Sequence, residues 1–244
     1  MLLPCVLALA LPTPQLPSGT TVLARHVFET EEGADLGTAL ERVGDWDGDG
    51  VDDYAVGSPG YDFPALFDSI DDHGRVQVRS GADDQVIAET IQLYEAGAAR
   101  VGTAIAGPFD SDQDGNLELA VATGGFDEVL ILERGGPDGS WLDVQTTLSA
   151  TLTSILVEQG FGQVLENLGD VTGDGVDDLG IGSPLSDRFE LAGTILDAGA
   201  VRIVSGADWS TRALWSYGDD RAKFGQAHRP PHRDGRQGSC RGRS

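Results

Sequence analysis

The chain has 244 residues, with 40 Asp and Glu against 16 Lys and Arg, for a net charge of −24. So large an acidic excess argues against nucleic acid or an anionic membrane surface as a partner, because both require a basic face. Glycine numbers 34, about twice its usual share of roughly 7%. The 40% hydrophobic content suffices for a core, which argues against wholesale disorder and, with so much Gly and Asp, favours short strands joined by tight turns over a helical bundle.

Residues 2–11 (LLPCVLALAL) form an apolar run of signal-peptide length, and Ala8-Leu9-Ala10 resembles a small-residue cleavage site. Residues 1–20 are therefore expected to be a signal peptide and leader, although no basic residue precedes the run. The two cysteines, Cys5 and Cys240, lie outside the body of the chain and supply neither a disulfide framework nor a metal cluster. No apolar run reaches the ~18 residues of a membrane-spanning helix.

From residue 21 the chain repeats itself. LGTALERVGDWDGDGVDDYAVGSP (36–59), VGTAIAGPFDSDQDGNLELAVATGG (101–125) and FGQVLENLGDVTGDGVDDLGIGSP (161–184) align. In each, an apolar-Gly pair precedes an aspartate at constant spacing: Gly37 and Asp45, Gly102 and Asp110, Gly162 and Asp170. A fourth copy begins at Phe224-Gly225-Gln226-Ala227. The flanks repeat as well, Ser80-Gly81-Ala82-Asp83 returning as Ser205-Gly206-Ala207-Asp208 after an alternating apolar run. About four short strands per repeat, at this repeat length, predict the blades of a β-propeller.

Each repeat carries a loop of alternating acids. With Asp45 as position one, Asp45, Asp47 and Asp49 occupy positions one, three and five, Gly50 position six, and Asp53 position nine. Alternate side chains of a tight loop converge on one point, glycine permits the sharp turn, and the carbonyl of Val51 at position seven can add an oxygen. A hard cation such as Ca²⁺ takes six to eight oxygens in flexible geometry. The third copy offers Asp170, Thr172, Asp174, the Val176 carbonyl and Asp178, with a neutral oxygen at position three and hence an expected weaker site. The second offers Asp110, Asp112, Asp114, the Asn116 carbonyl and the longer Glu118. Up to three Ca²⁺ sites are expected. The alternative for these residues is an Asp-Gly turn whose carboxylates cap backbone amides. An EF-hand is excluded, because position twelve is Val56, Val121 or Ile181, inside an apolar run, where that motif needs glutamate. Zinc is disfavoured by the four histidines and the lack of a cysteine cluster, while Mg²⁺ stays open.

These motifs resemble the FG-GAP repeat, which builds the N-terminal β-propeller of integrin α subunits. The resemblance covers residues 21–227. Phe161-Gly162 and Ile181-Gly182-Ser183-Pro184 match best, and Leu36-Gly37 with Val56-Gly57-Ser58-Pro59 nearly as well. The second copy departs, with Ala122-Thr123-Gly124-Gly125 where Gly-x-Pro belongs. The resemblance implies an all-β propeller, calcium ligands at the loop positions named above, and loops on the face away from the main ligand-binding surface. It does not imply adhesion by itself.

A propeller of the integrin kind closes with seven blades, roughly 420 residues at this repeat length. This chain supplies three blades and the start of a fourth, incomplete against that closed ring. Where the fourth copy should continue, residues 228–244 turn arginine-rich. Residues 221–244 hold seven Lys and Arg and one Asp, a net of +6, whereas residues 1–220 hold nine Arg and 39 acids, a net of −30. The expected cause is a reading-frame shift after Ala227, with a real basic tail as the alternative. Open blade edges would permit self-association.

No Gly-x-Ser-x-Gly elbow, phosphate-binding Gly-Lys-Ser/Thr loop or His-Glu-x-x-His helix occurs, so no enzyme activity and no catalytic residue is expected. Trp46, Trp141, Trp209 and Trp215 are expected in packing between blades. The inserts at 61–73 and 185–198 are where a propeller would carry ligand contacts. The expected function is a secreted or cell-surface, calcium-binding module for protein or glycan binding and adhesion. The alternative is the accessory propeller of a secreted hydrolase whose catalytic domain lies elsewhere, as in glycosylphosphatidylinositol phospholipase D.

Overall fold

The computed structural model describes residues 33–64, 69–90, 97–135, 141–149, 156–157, 159–190 and 193–216, and every regular element among them is a β-strand. All belong to one compact unit, residues 31–244. The expected signal peptide at 1–20, the fourth Phe-Gly pair and the basic tail lie outside the described residues.

Each repeat folds as a four-stranded antiparallel meander. In the first, β1 (Leu40–Gly44) and β2 (Asp53–Ser58) are followed by a small hairpin, β3 (Phe63–Pro64) and β4 (Ser69–Ile70), then by β5 (Arg75–Arg79) and β6 (Val86–Thr90). The second is β7 (Val101–Phe109), β8 (Glu118–Thr123), β9 (Glu128–Gly135) and β10 (Trp141–Ser149). After β11 (Leu156–Val157) comes the third, from β12 (Val164–Asn167) and β13 (Leu179–Ser183), through the hairpin β14 (Asp187–Glu190) and β15 (Gly193–Ile195), to β16 (Ala200–Val204) and β17 (Thr211–Ser216). The orders are β1-β2-β5-β6, β7-β8-β9-β10 and β12-β13-β16-β17. A short parallel contact, Trp141 opposite Glu89 and Leu142 opposite Thr90, joins the first two sheets edge to edge. No sheet among the described residues closes on itself.

The middle sheet explains why its strands read as continuous apolar runs. Side chains of a strand alternate between faces, and here both faces are covered. Leu119 and Val121 of β8, with Leu130 and Leu132 of β9, pack toward the first sheet against Val43, Ala55, Val76, Val78 and Ala88. Ala120 and Ala122, with Val129 and Ile131, pack toward the third against Phe161, Leu165, Leu179, Ile181 and Val204. Each fully buried Val, Leu or Ile contributes about 1.5–3 kcal/mol, so these two layers hold the three sheets together. The first strands are neighbours, β7 touching both β1 and β12. Stacked meanders with their first strands side by side are consistent with propeller-like blades.

The apolar-Gly pairs of the second and third repeats sit at the junctions, whereas a Cβ on Gly37 of the first would meet nothing within 4 Å. A side chain on Gly57 would strike the Gly102 carbonyl, and Gly102, at φ +93°, lies against Gly57 and Val76. Gly162 meets Ala122 and Val129 of the preceding sheet in the same way. Only a backbone without Cβ allows this approach.

Candidate metal centres

The three acid-rich loops join the first strand to the second in each sheet. The glycine at position six has the left-handed backbone that the turn requires: φ is +90° at Gly50, +89° at Gly115 and +93° at Gly175. In the first loop the carboxylate oxygens of Asp45, Asp47 and Asp49 lie within 4.8 Å of one another, all exposed. Asp110, Asp112 and Asp114 make the same group in the second loop. The third loop holds two acids at these positions, Asp170 and Asp174, with Thr172 between them.

The same carboxylates also cap the turn. Asp45 accepts the amides of Gly48 (2.8 Å) and Gly50 (3.0 Å), and Asp47 that of Asp49 (3.1 Å). Asp170 accepts those of Gly173 (2.6 Å), Asp174 (3.1 Å) and Gly175 (3.0 Å), while Asp110 accepts that of Gly115 at 3.4 Å. Position seven is fixed through its own amide to position five: Val51 to Asp49 at 2.8 Å, Asn116 to Asp114 at 2.7 Å, Val176 to Asp174 at 3.1 Å. Amide capping and cation binding are compatible, because each carboxylate oxygen has a second lone pair.

Position nine behaves differently. Asp53, Glu118 and Asp178 are buried and stand apart from the exposed groups. Asp53 Oδ2 accepts the amides of Trp46 (2.7 Å) and Asp47 (3.3 Å). Asp178 Oδ2 accepts those of Val171 (2.8 Å) and Thr172 (2.7 Å). Their other oxygens reach the turn between the third and fourth strands, accepting Gly81 at 2.9 Å and Gly206 at 3.2 Å. Glu118 accepts Ser111 at 2.8 Å, and its carboxyl is pushed up, first by burial and then by the charges of Asp112 and Glu133, against the lowering bonds from Ser111. Position nine is therefore the strut that shapes each loop.

Several supporting residues carry no ligand pattern of their own. A Cβ on Gly81 or Gly206 would fall 2.0 Å from the carbonyl of Asp52 or Asp177, which gives the repeated Ser-Gly-Ala-Asp turn its physical reason. Arg134 Nη1 donates to the Trp46 carbonyl at 3.3 Å, tying the second sheet to the first loop. Asn167 bridges to the Pro108 carbonyl (3.0 Å) and Asp177 (3.1 Å). Trp46 is buried in the layer between the first two sheets, and Trp209 packs edge-on against Phe109, 5.6 Å between centroids, so both serve packing, as expected. The second and third loops line one cleft, with Asp110 and Gln113 facing Gly175 and Asp177.

The inserts lie at the opposite ends of the sheets. Each is closed by the same pair of bonds: Asp62 accepts Asp72 (2.8 Å) and Asp187 accepts Asp197 (3.0 Å), while Gly74 donates to Tyr61 (2.9 Å) and Gly199 to Ser186 (3.0 Å).

The donors of the first and second loops fit a hard divalent cation, being three converged carboxylates in each. The third loop has two acids at these positions, and its Thr172 hydroxyl donates to Asp178 Oδ1 at 3.3 Å. No family model matches the chain. The chain is similar to integrin alpha-4 of Xenopus laevis, 33% identical over 170 residues, covering 63% of this chain and 15% of that protein. The chain thus spans about 15% of the length of that relative. This similarity and the stacked four-stranded sheets together fit an integrin-like β-propeller.

Proposed function

We propose that this chain is a calcium-binding, non-catalytic β-propeller module of the FG-GAP kind that works outside the cell or on its surface and binds a protein or glycan. The observation that carries the calcium reading is the convergence of Asp45, Asp47 and Asp49 on one strand-connecting loop and its recurrence at Asp110, Asp112 and Asp114. Asp170, Thr172 and Asp174 form a third site with less charge. The carbonyls of Val51, Asn116 and Val176 add an oxygen to each. Asp53 and Glu118 complete the sets from beneath, each through a lone pair left over from its backbone bonds, whereas Asp178 would have to release one of its four bonds, to the amides of Val171, Thr172 and Gly206 and the Thr172 hydroxyl.

Location outside the cell is supported by the similarity to an integrin α chain and by the apolar run at residues 2–11. Millimolar extracellular calcium fills sites of modest affinity. The inserts at 61–73 and 185–198 lie at the ends of the sheets away from the calcium loops and are the proposed ligand-contact region. The calcium reading is tested by isothermal titration of the full chain, with binding at up to three sites expected and loss of the first on Asp45→Ala. The binding reading is tested by a protein and glycan array probed with calcium and with chelator. Retention of a specific ligand after deletion of both inserts would remove them from that role.

A further inference from the structure

The three sheets carry the same apolar face, and the third leaves it uncovered. In the first sheet Ala55 and Gly57 lie opposite Val78 and Val76, and Val78 opposite Ala88. In the second, Ala120 and Ala122 lie opposite Ile131 and Val129. Val76, Val78, Ala88, Val129 and Ile131 are all fully buried in the layers between sheets. The corresponding residues of the third are Gly180 and Gly182, opposite Ile203 and Val201, followed by Ala213 and Trp215. There Val201, Ile203 and Ala213 are only half-buried, and Trp215 is 50% exposed. A contiguous apolar face of this kind marks an interaction surface, and the end of a stack of repeats needs a cover.

On the first two sheets the next repeat begins against this face. The Gly102 backbone lies on Gly57 and Val76, and that of Gly162 on Ala122 and Val129. Gly57 to Gly102 spans 45 residues and Ala122 to Gly162 spans 40, and the equivalent step from Gly182, 43 residues, ends on Gly225 of the Phe224-Gly225 pair. The last described strand ends at Ser216, where Trp215 is level with Val201 and, through it, with Gly182. The seven residues 217–223 reach about 23 Å when extended, and crossing two strand spacings back to β13 needs about 10 Å. A second copy stacked head to tail is the poorer occupant. Its first sheet would offer the side opposite Val76 and Val78, which carries Tyr54, Gln77 and Arg79. These polar groups bond within their own sheet to Asp84 and Glu89 and gain nothing from an apolar cover.

We propose that the outer face of the third sheet is the docking surface for this chain's own residues 224–227, with Gly225 laid on Gly182 and the Phe224 side chain on Val201. This rests on the reading of the stacked sheets as propeller blades and is independent of calcium. The test is methyl NMR of the full chain. Nuclear Overhauser contacts between the Phe224 ring and the Val201 methyls are expected. Phe224→Ala should abolish them and increase the broadening of the Val201 methyls by a soluble gadolinium chelate, while the fully buried Val129 methyls stay unchanged. Val201 methyls broadened equally in the two proteins, with no Phe224 contact, overturn the proposal. Protection of Val201 that survives Phe224→Ala and grows with protein concentration overturns it in favour of a second copy. Absence of a contact between Gly162 and the Val129 methyls would instead overturn the stacked-sheet reading, and the proposal with it.

Discussion

The amide of Gly81 donates to Asp53 Oδ1 at 2.9 Å across 28 residues, and Gly206 repeats the bond to Asp178 at the same separation. This links the turn after the third strand to the acid-rich loop before the second. Gly81→Ala would drive a methyl into the Asp52 carbonyl. The expected result is a lower melting temperature together with weaker calcium binding at the first loop, read by titration of the Gly50 amide, with the third loop unaffected.

Positions five and nine should separate by phenotype. Asp53→Ala leaves the amides of Trp46, Asp47 and Gly81 without their acceptor. At roughly 1–3 kcal/mol for each unsatisfied buried group, partly offset by water, a loss of about 2–4 kcal/mol is expected in chelator. Asp49→Ala removes an exposed carboxylate and should change chelator stability by less than about 1 kcal/mol, while lowering calcium affinity at that loop. Urea denaturation of both variants with and without calcium checks the contrast. Equal losses in chelator would refute the division of roles.

Tyr54 donates to Asp84. Burial first, and then that bond and the Asp84 charge, push the phenol up from 10.0 to about 12, against a lowering contribution from Arg79. The folded state therefore holds the proton more tightly than the unfolded chain. This contribution is complete below pH 10 and is lost as pH rises from 10 to about 12. Tyr54→Phe should flatten the alkaline fall in urea midpoint over that window, and an identical fall in both proteins would count against it.

Glu41 on β1 lies near Glu166 on β12, and its carboxyl is raised above 4.5, first by burial and then by the Glu166 charge. A raised carboxyl favours folding below 4.5 and loses that contribution as pH climbs through the folded-state value. Glu166→Gln should therefore raise stability at neutral pH and have less effect near pH 4. Thermal melts at the two pH values check this.

The repeat, its four strands and the converging acids at positions one, three and five were legible in the sequence, because alternation and Asp-Gly turns are local patterns. Position twelve, read as strand at Val56, Val121 and Ile181, falls within β2, β8 and β13. The part played by Asp53 and Asp178 was not legible. An aspartate at position nine can face a cation or the backbone, and what buries it is a turn 28 residues on. The Ser-Gly-Ala-Asp repeat was visible, but its reason is a carbonyl at Asp52 or Asp177 brought close only by folding. Contacts between sheets, such as Arg134 to Trp46 and Trp141 opposite Glu89, leave no periodic trace in the sequence.

A cation that binds only the folded chain stabilises it by mass action, by about 2.7 kcal/mol per site at a hundred times Kd. The most direct measurement is the melting temperature of the full chain in millimolar calcium and in excess chelator. Calcium is expected to raise it by several degrees, and by less in Asp45→Ala and Asp110→Ala. Superimposable melting curves in calcium and in chelator would contradict it.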